Sequence, residues 1–265
     1  MNHPSQEFTK KYNYEEICRR ICIQVVNYEH YRKELQSLAH IRWEDLAILF
    51  VYEGDLRETK MQDAEDMGEN SFASAGNADC TDRLSEHEEK RKENERASGP
   101  EDDLGKRRIN KNALEMSITV PLRKTTLVEW GVDEYSLLRS ALLNSRELHP
   151  MYCRTMQEIL EIPEGLDGGM GPEIYVMTCR EAGYGAATMF YPGVLAEMAR
   201  RLGGDFYLIP SSVHELLALR MELLDDPDGL REIIRSVNRE AVLPGDFLSN
   251  SLYGYRVRRG ELEKL

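Results

Sequence analysis

Apolar positions along this chain fall into two kinds of pattern, dense runs of five to seven and helix-spaced sets, and the two alternate irregularly. Ile21-Cys22-Ile23-Gln24-Val25-Val26 is rich in β-branched residues and predicts a strand. Leu46 to Tyr52 is a continuous apolar run, as a strand buried on both faces would be, although a short buried helix gives the same signal. Further strands are expected at Leu114 to Leu122, ending at Pro121, at Ile174 to Thr178 paired with Ala186 to Tyr191, at Asp205 to Pro210 paired with Val213 to Leu219, and, as an edge strand, at Tyr253 to Val257.

Helix spacing is found elsewhere. Tyr14 to Arg20 carries Glu15 and Glu16 in its first turn. Leu137, Leu138, Ala141 and Leu142 define one face of a helix over Asp133 to Leu143, with Asp133 as its cap. Cys153 to Ile162 is expected to be helical up to Pro163. Val194, Leu195, Met198, Ala199 and Leu202 line a helix that Gly203-Gly204 ends. Leu230, Ile233, Ile234 and Val237 give an amphipathic helix over Asp228 to Glu240. Hairpins mixed with helices, without strict strand-helix alternation, predict an α+β fold: a mixed or antiparallel sheet of hairpins with packed amphipathic helices.

One stretch breaks the pattern. Residues 54–112 hold 16 acidic and 11 basic residues but only seven large apolar ones, Leu56, Met61, Met67, Phe72, Leu84, Leu104 and Ile109. So few cannot offset the entropy of ordering 59 residues of backbone, and a long disordered insertion is expected. Asp82 to Arg96 within it is rich enough in Glu, Lys and Arg for a transient solvated helix. The chain then divides into 1–53, the first part of a globular core, the insertion at 54–112, and 113–265, the α+β remainder of the core. Loop closure costs grow slowly with length, so strands on either side of the insertion can still pair.

Composition narrows the function classes. With 34 Lys+Arg against 47 Asp+Glu the formal charge is −13, which disfavours nucleic acid as a partner; the basic clusters at Lys106 to Arg108 and Arg256 to Arg259 are short. No apolar run approaches the ~20 residues that cross a bilayer, and Met1 to Tyr14 is polar, so no membrane association is expected and the chain is read as cytoplasmic. Five scattered cysteines, Cys18, Cys22, Cys80, Cys153 and Cys179, read as reduced thiols.

Candidate chemistry is sparse. Ser211-Ser212-Val213-His214-Glu215 gathers hydroxyls, an imidazole and a carboxylate, and Asp205 across the hairpin is the candidate acid to orient His214, leaving Ser212, His214 and Asp205 as the candidate catalytic set. His40 with Glu44 or Asp45 is a second polar grouping. Cys18 and Cys22 at i,i+4 lack the further ligands of a metal motif, and Gly168-Gly169-Met170-Gly171 is followed by Pro172 where a phosphate cradle needs a helix. No metal and no cofactor is expected.

Several segments taken together resemble a known family. Asn27-Tyr28-Glu29, His40-Ile41-Arg42, Glu129-Trp130-Gly131-Val132, Tyr191-Pro192-Gly193-Val194-Leu195, Leu202-Gly203-Gly204-Asp205 and Ile209-Pro210-Ser211-Ser212-Val213-His214-Glu215, in this order, are similar to a bacterial domain-of-unknown-function family (number 5688) known mainly from gut-associated anaerobes. The likeness covers about 17–53 and 114–255. Members of that family carry a further helical N-terminal segment and a shorter connection where this chain has residues 54–112. The resemblance implies a fold and no activity, cofactor or catalytic residue. The expectation is therefore a non-enzymatic cytoplasmic binding or regulatory protein, with a protein partner docking on the acidic insertion; the alternative is a hydrolase-like enzyme using the Ser211 to Glu215 hairpin.

Overall fold

The structure, a computed structural model, describes residues 13–55, 117–162, 173–179, 183–224 and 226–265. The chain divides into two units, one of residues 1–53 and 119–265, the other of 54–118. The first unit is the α+β body. The charged segment at 54–112, with its expected disorder and transient helix, lies outside the described residues apart from Gly54 and Asp55, as does the glycine-rich stretch 163–172.

A first sheet is centred on strand β3 (Leu46–Asp55), which pairs antiparallel with β1 (Ile21–Asn27) on one side and β2 (His40–Trp43) on the other. Its continuous apolar run is explained by position: Leu46 through Tyr52 are buried throughout, so side chains on both faces of the strand are covered. Strand β4 (Ser117–Pro121) also pairs with β3, so strands on either side of the long segment do meet. Just beyond β4, Leu122 N–H donates to Phe50 O at 2.9 Å and Ala39 N–H donates to Leu122 O at 2.8 Å.

Three helices accompany this sheet in the chain, α1 (Tyr14–Ile17), α2 (Lys124–Trp130) and α3 (Glu134–Leu148), of which α3 packs on β1. The Asp133 cap is realised: Ser136 N–H donates to its Oδ1 at 2.8 Å. Helix α3 buries Leu137, Ala141 and Ser145 and covers the open edge of β1. Ser145 Oγ accepts from Ile23 N–H at 2.8 Å, and Asn144 Nδ2 donates to Cys18 O and Ile21 O at 2.8 and 2.9 Å. An edge strand would otherwise present these groups to any passing chain.

The second sheet has six strands in the order β10-β9-β7-β8-β6-β5, every neighbouring pair antiparallel: β5 (Met151–Thr155), β6 (Ile174–Cys179), β7 (Phe206–Pro210), β8 (Leu216–Arg220), β9 (Tyr253–Arg256) and β10 (Glu261–Lys264). Helix α4 (Met156–Ile159) follows β5, and α5 (Val194–Leu202) ends at Gly203, whose φ of +78° is the left-handed stop that glycine adopts without strain. Helix α6 (Pro227–Ala241) packs Leu230 and Ile234 onto Tyr207, Ile209, Leu219 and Leu252.

Four expectations are corrected. Cys153 lies in a strand, not a helix, because Thr155 is itself a helix cap: its N–H donates to Glu158 Oε2 at 2.7 Å and its Oγ1 accepts from Glu158 N–H, so helix begins only at Met156. Ala186 to Tyr191 is no strand; 185–190 is a 3-10 turn, since β6 is already hydrogen-bonded to β5 and β8 and offers no free edge. Strand β9 is not an edge, because the chain turns at Gly260 (φ +66°) and β10 covers it. On α6, Ile233 is 61% and Val237 48% exposed, and the buried face is carried by Leu230 and Ile234. No helix among the described residues is long and apolar enough to cross a membrane.

Candidate functional site

The hairpin β7–β8 sets the fate of the predicted catalytic residues. Phe206 pairs with Arg220 and Pro210 with Leu216, so Ser211 to Glu215 form the turn at one end and Asp205 lies at the other. Six residues of extended chain span about 20 Å, far beyond hydrogen-bond reach. Asp205 is instead held at its own end: Oδ1 accepts from Val257 N–H at 2.9 Å and Oδ2 lies 3.4 Å from the Arg256 guanidinium, tying β7 to β9. It does not orient His214.

His214 finds a different acid. Its Nε2 is 3.2 Å from Asp246 Oδ1, with Tyr184 beside the ring at 5.8 Å between centroids. Its Nδ1 is buried and has no hydrogen-bond partner among the described residues. Ser212 Oγ accepts from the His214 backbone N–H at 3.1 Å, a local turn contact, and Ser211 Oγ donates to Glu215 Oε1 at 3.2 Å. Burial lifts the phenols of Tyr31 and Tyr184 above the ordinary tyrosine range, helped by the negative charge of Asp246. The turn is anchored by Thr178 Oγ1, which donates to His214 O at 2.9 Å, and by the bare Gly185 backbone pressed against the same carbonyl.

The second predicted grouping separates as well. His40 Nδ1 is 2.9 Å from Leu38 O, whereas Asp45 accepts from Ser249 Oγ (2.5 Å), Ser251 Oγ (2.9 Å), Tyr253 Oη (2.6 Å) and Lys264 Nζ (3.1 Å). Burial pushes the Asp45 carboxyl up, but these four donors outweigh it and hold the group below the usual aspartate range. Asp45 is thus an anchor between the β2–β3 turn and the β9–β10 hairpin. Among the described residues, His40, Asp45, Asp205 and His214 share no hydrogen-bond partner.

A constellation that the sequence did not reveal lies on β1, β3 and the end of α3. In the β1–β3 register Ile21 pairs with Tyr52 and Cys22 with Val51, so Glu53, one residue beyond Tyr52, projects from the same face as Cys22. His149 caps α3 one turn after Ser145, its N–H donating to Ser145 O at 2.8 Å. Its Nε2 reaches Glu53 Oε2 at 2.6 Å. The ligand atoms of Cys22, Glu53 and His149 all lie within 4.8 Å of one another. Cys22 is fully buried, and burial first, then the nearby Glu53, pushes its thiol up to about 12, so it is protonated at neutral pH and unsuited to act as a free nucleophile. Burial likewise lifts the Tyr191 phenol, whose neighbours include Cys179, Cys22 and Glu53. Positions 22, 53 and 149 are too far apart to form a local motif; only the strand register and the end of α3 bring them together.

Among known protein families, the one described as a family of unknown function (DUF5688) matches residues 108–257. The match covers the second of the two stretches in which a resemblance was read; 17–53 lies outside it. No curated protein and no solved structure matches the chain.

Proposed function

We propose, for a chain that belongs to the DUF5688 family, a non-enzymatic role in which it binds a protein partner. The observation that carries this reading is the state of His214. A histidine base needs one ring nitrogen on its orienting acid and the other aimed at a nucleophile. Here Nε2 faces Asp246 while Nδ1 is enclosed without a partner among the described residues, and the neighbouring Ser212 Oγ contacts the His214 backbone N–H, not the ring. Asp205, the third member of the expected set, serves Arg256 and Val257.

The partner surface in this reading is the acidic segment 54–112, whose 16 acidic residues suit a basic protein surface, and the place of action is the bacterial cytoplasm. Comparing proteins captured by the full chain with those captured by a chain lacking 54–112 tests it. Loss of partners with the segment is expected, and identical sets would remove the segment from the account.

One observation favours a second reading. The His214–Asp246 pair is an imidazole oriented by a carboxylate, both side chains a quarter to a third exposed, as a hydrolase-like enzyme built on the Ser211 to Glu215 hairpin would require. An esterase and phosphatase screen of the wild type beside His214→Ala separates the two. Turnover that disappears with the imidazole supports the enzyme, and no turnover in either supports the binding protein.

A further inference from the structure

We infer that Cys22, Glu53 and His149 form a binding site for one divalent d-block cation, Zn2+ foremost. The inference does not rest on the partner-binding reading.

The donor set is one thiol sulfur, one imidazole nitrogen and one carboxylate, the three ligand types that zinc takes from proteins. The spacing suits it. Bonds of about 2.0–2.3 Å in a tetrahedron place ligand atoms about 3.5 Å apart. The 2.6 Å between His149 Nε2 and Glu53 Oε2 needs to open by under about 1 Å, and the separations of up to 4.8 Å in the cluster need to close by about as much. Side-chain rotation supplies movements of that size without displacing the backbone. All three ligands stand on regular elements: Cys22 inside β1, Glu53 inside β3 and His149 at the cap of α3, which Ser145 and Asn144 fix to the edge of β1.

Access is also provided. Cys22 is fully buried, but the side chains of Glu53 and His149 are 21% and 18% exposed, so an ion can enter past the carboxylate and imidazole and reach the sulfur last. Three protein ligands leave a fourth position for solvent. On binding, the Cys22 proton leaves to solvent and the hydrogen that His149 Nε2 shares with Glu53 leaves that nitrogen, so the imidazole ligates the ion through Nε2 in its neutral form with a proton on Nδ1. Such a site is easily hidden in an apolar core, because a cysteine in a β-branched strand reads as one more small hydrophobic residue.

The test uses the full chain, stripped with a chelator and then titrated with Zn2+ or Co2+. One Zn2+ per chain is expected to survive gel filtration, and Co2+ is expected to produce the near-ultraviolet thiolate-to-metal absorption. Cys22→Ser should abolish that absorption and weaken Zn2+ binding by more than the about 10–100-fold that loss of a residue supporting a ligand costs. Glu53→Gln and His149→Gln should weaken binding comparably, whereas Cys80→Ser and Cys153→Ser should bind as the wild type does. If Cys22→Ser fails to fold, the Glu53 and His149 variants decide. A wild type that takes up no stoichiometric Zn2+, or substitutions at 22, 53 and 149 that leave its affinity unchanged, would overturn the site and leave a buried histidine–glutamate hydrogen bond beside an ordinary core cysteine.

Discussion

Tyr253 Oη donates to Asp45 Oδ1 at 2.6 Å, and the same carboxylate takes hydrogen bonds from Ser249, Ser251 and Lys264. One acidic side chain in a two-residue hairpin turn thereby fastens the first sheet to the loop and strand that close the second. Trp43, next but one in sequence, meets Phe190 edge-on and Tyr253 at a tilt, with ring centroids 5.2 Å from each.

Asp45→Asn removes the charge but keeps the shape, and it should cost about 2 kcal/mol in chemical denaturation, the scale of hydrogen bonds to a charged group. The folded state holds this carboxyl below its ordinary value. Its stabilisation is therefore complete above the unfolded aspartate value of about 3.9 and is lost as pH falls through the lower folded value. The wild type should lose stability in that acid window more steeply than Asp45→Asn. Parallel slopes in the two proteins would contradict the role assigned to the carboxylate.

Ser145→Ala tests the seam between α3 and β1. The fully buried hydroxyl accepts from Ile23 N–H and donates to Ala141 O at 2.7 Å. Alanine leaves the Ile23 donor buried without that partner, which costs about 1–3 kcal/mol. Hydrogen exchange at Ile23 should quicken relative to Val25 in the same strand.

Two glycine substitutions of the same kind should differ in cost. A Cβ at Gly185 would stand 2.3 Å from His214 O and 2.7 Å from Thr178 Cα, both backbone atoms, so Gly185→Ala must shift the 211–215 turn. About 3 kcal/mol is expected, at the upper end of overpacking. At Gly131 (φ +69°) nothing lies within 4 Å, and Gly131→Ala should cost only the left-handed conformation, about 1 kcal/mol. Melting temperatures of the two variants give the comparison.

On α6, Ile234→Ala should cost about 2–4 kcal/mol and Ile233→Ala under about 0.5 kcal/mol, since Ile234 is 5% exposed and Ile233 61%. Equal losses in urea unfolding would mean that Ile233 is covered in solution.

These contrasts show where the residue pattern was informative. The apolar runs at Ile21 to Val26 and Leu46 to Tyr52, the Asp133 cap and the glycine stop at Gly203 specify their elements through local chemistry, and the structure has a strand or helix at each. The i,i+3,i+4,i+7 set on α6 did not reveal which two of its four apolar residues would be covered, because that depends on which side of the helix meets Tyr207, Ile209, Leu219 and Leu252. Ala186 to Tyr191 has strand-like composition but lies beside a strand with both edges occupied, a condition set by β5 and β8. The candidate site followed the same rule. His214 was visible as a residue, but its partner Asp246 lies 32 positions away in an unpatterned loop. Pairing it with Asp205 overlooked that a hairpin places residues at its two ends a strand length apart.

The Asp45 anchor also sets an order of events during synthesis. Tyr253 follows Asp45 by 208 positions, so at about 5–20 residues per second the ribosome delivers the phenol roughly 10–40 s after the carboxylate. Throughout that interval the nascent β2–β3 hairpin carries an ionised group without its four donors, and the latch between the two sheets can close only after Tyr253 has left the ribosome.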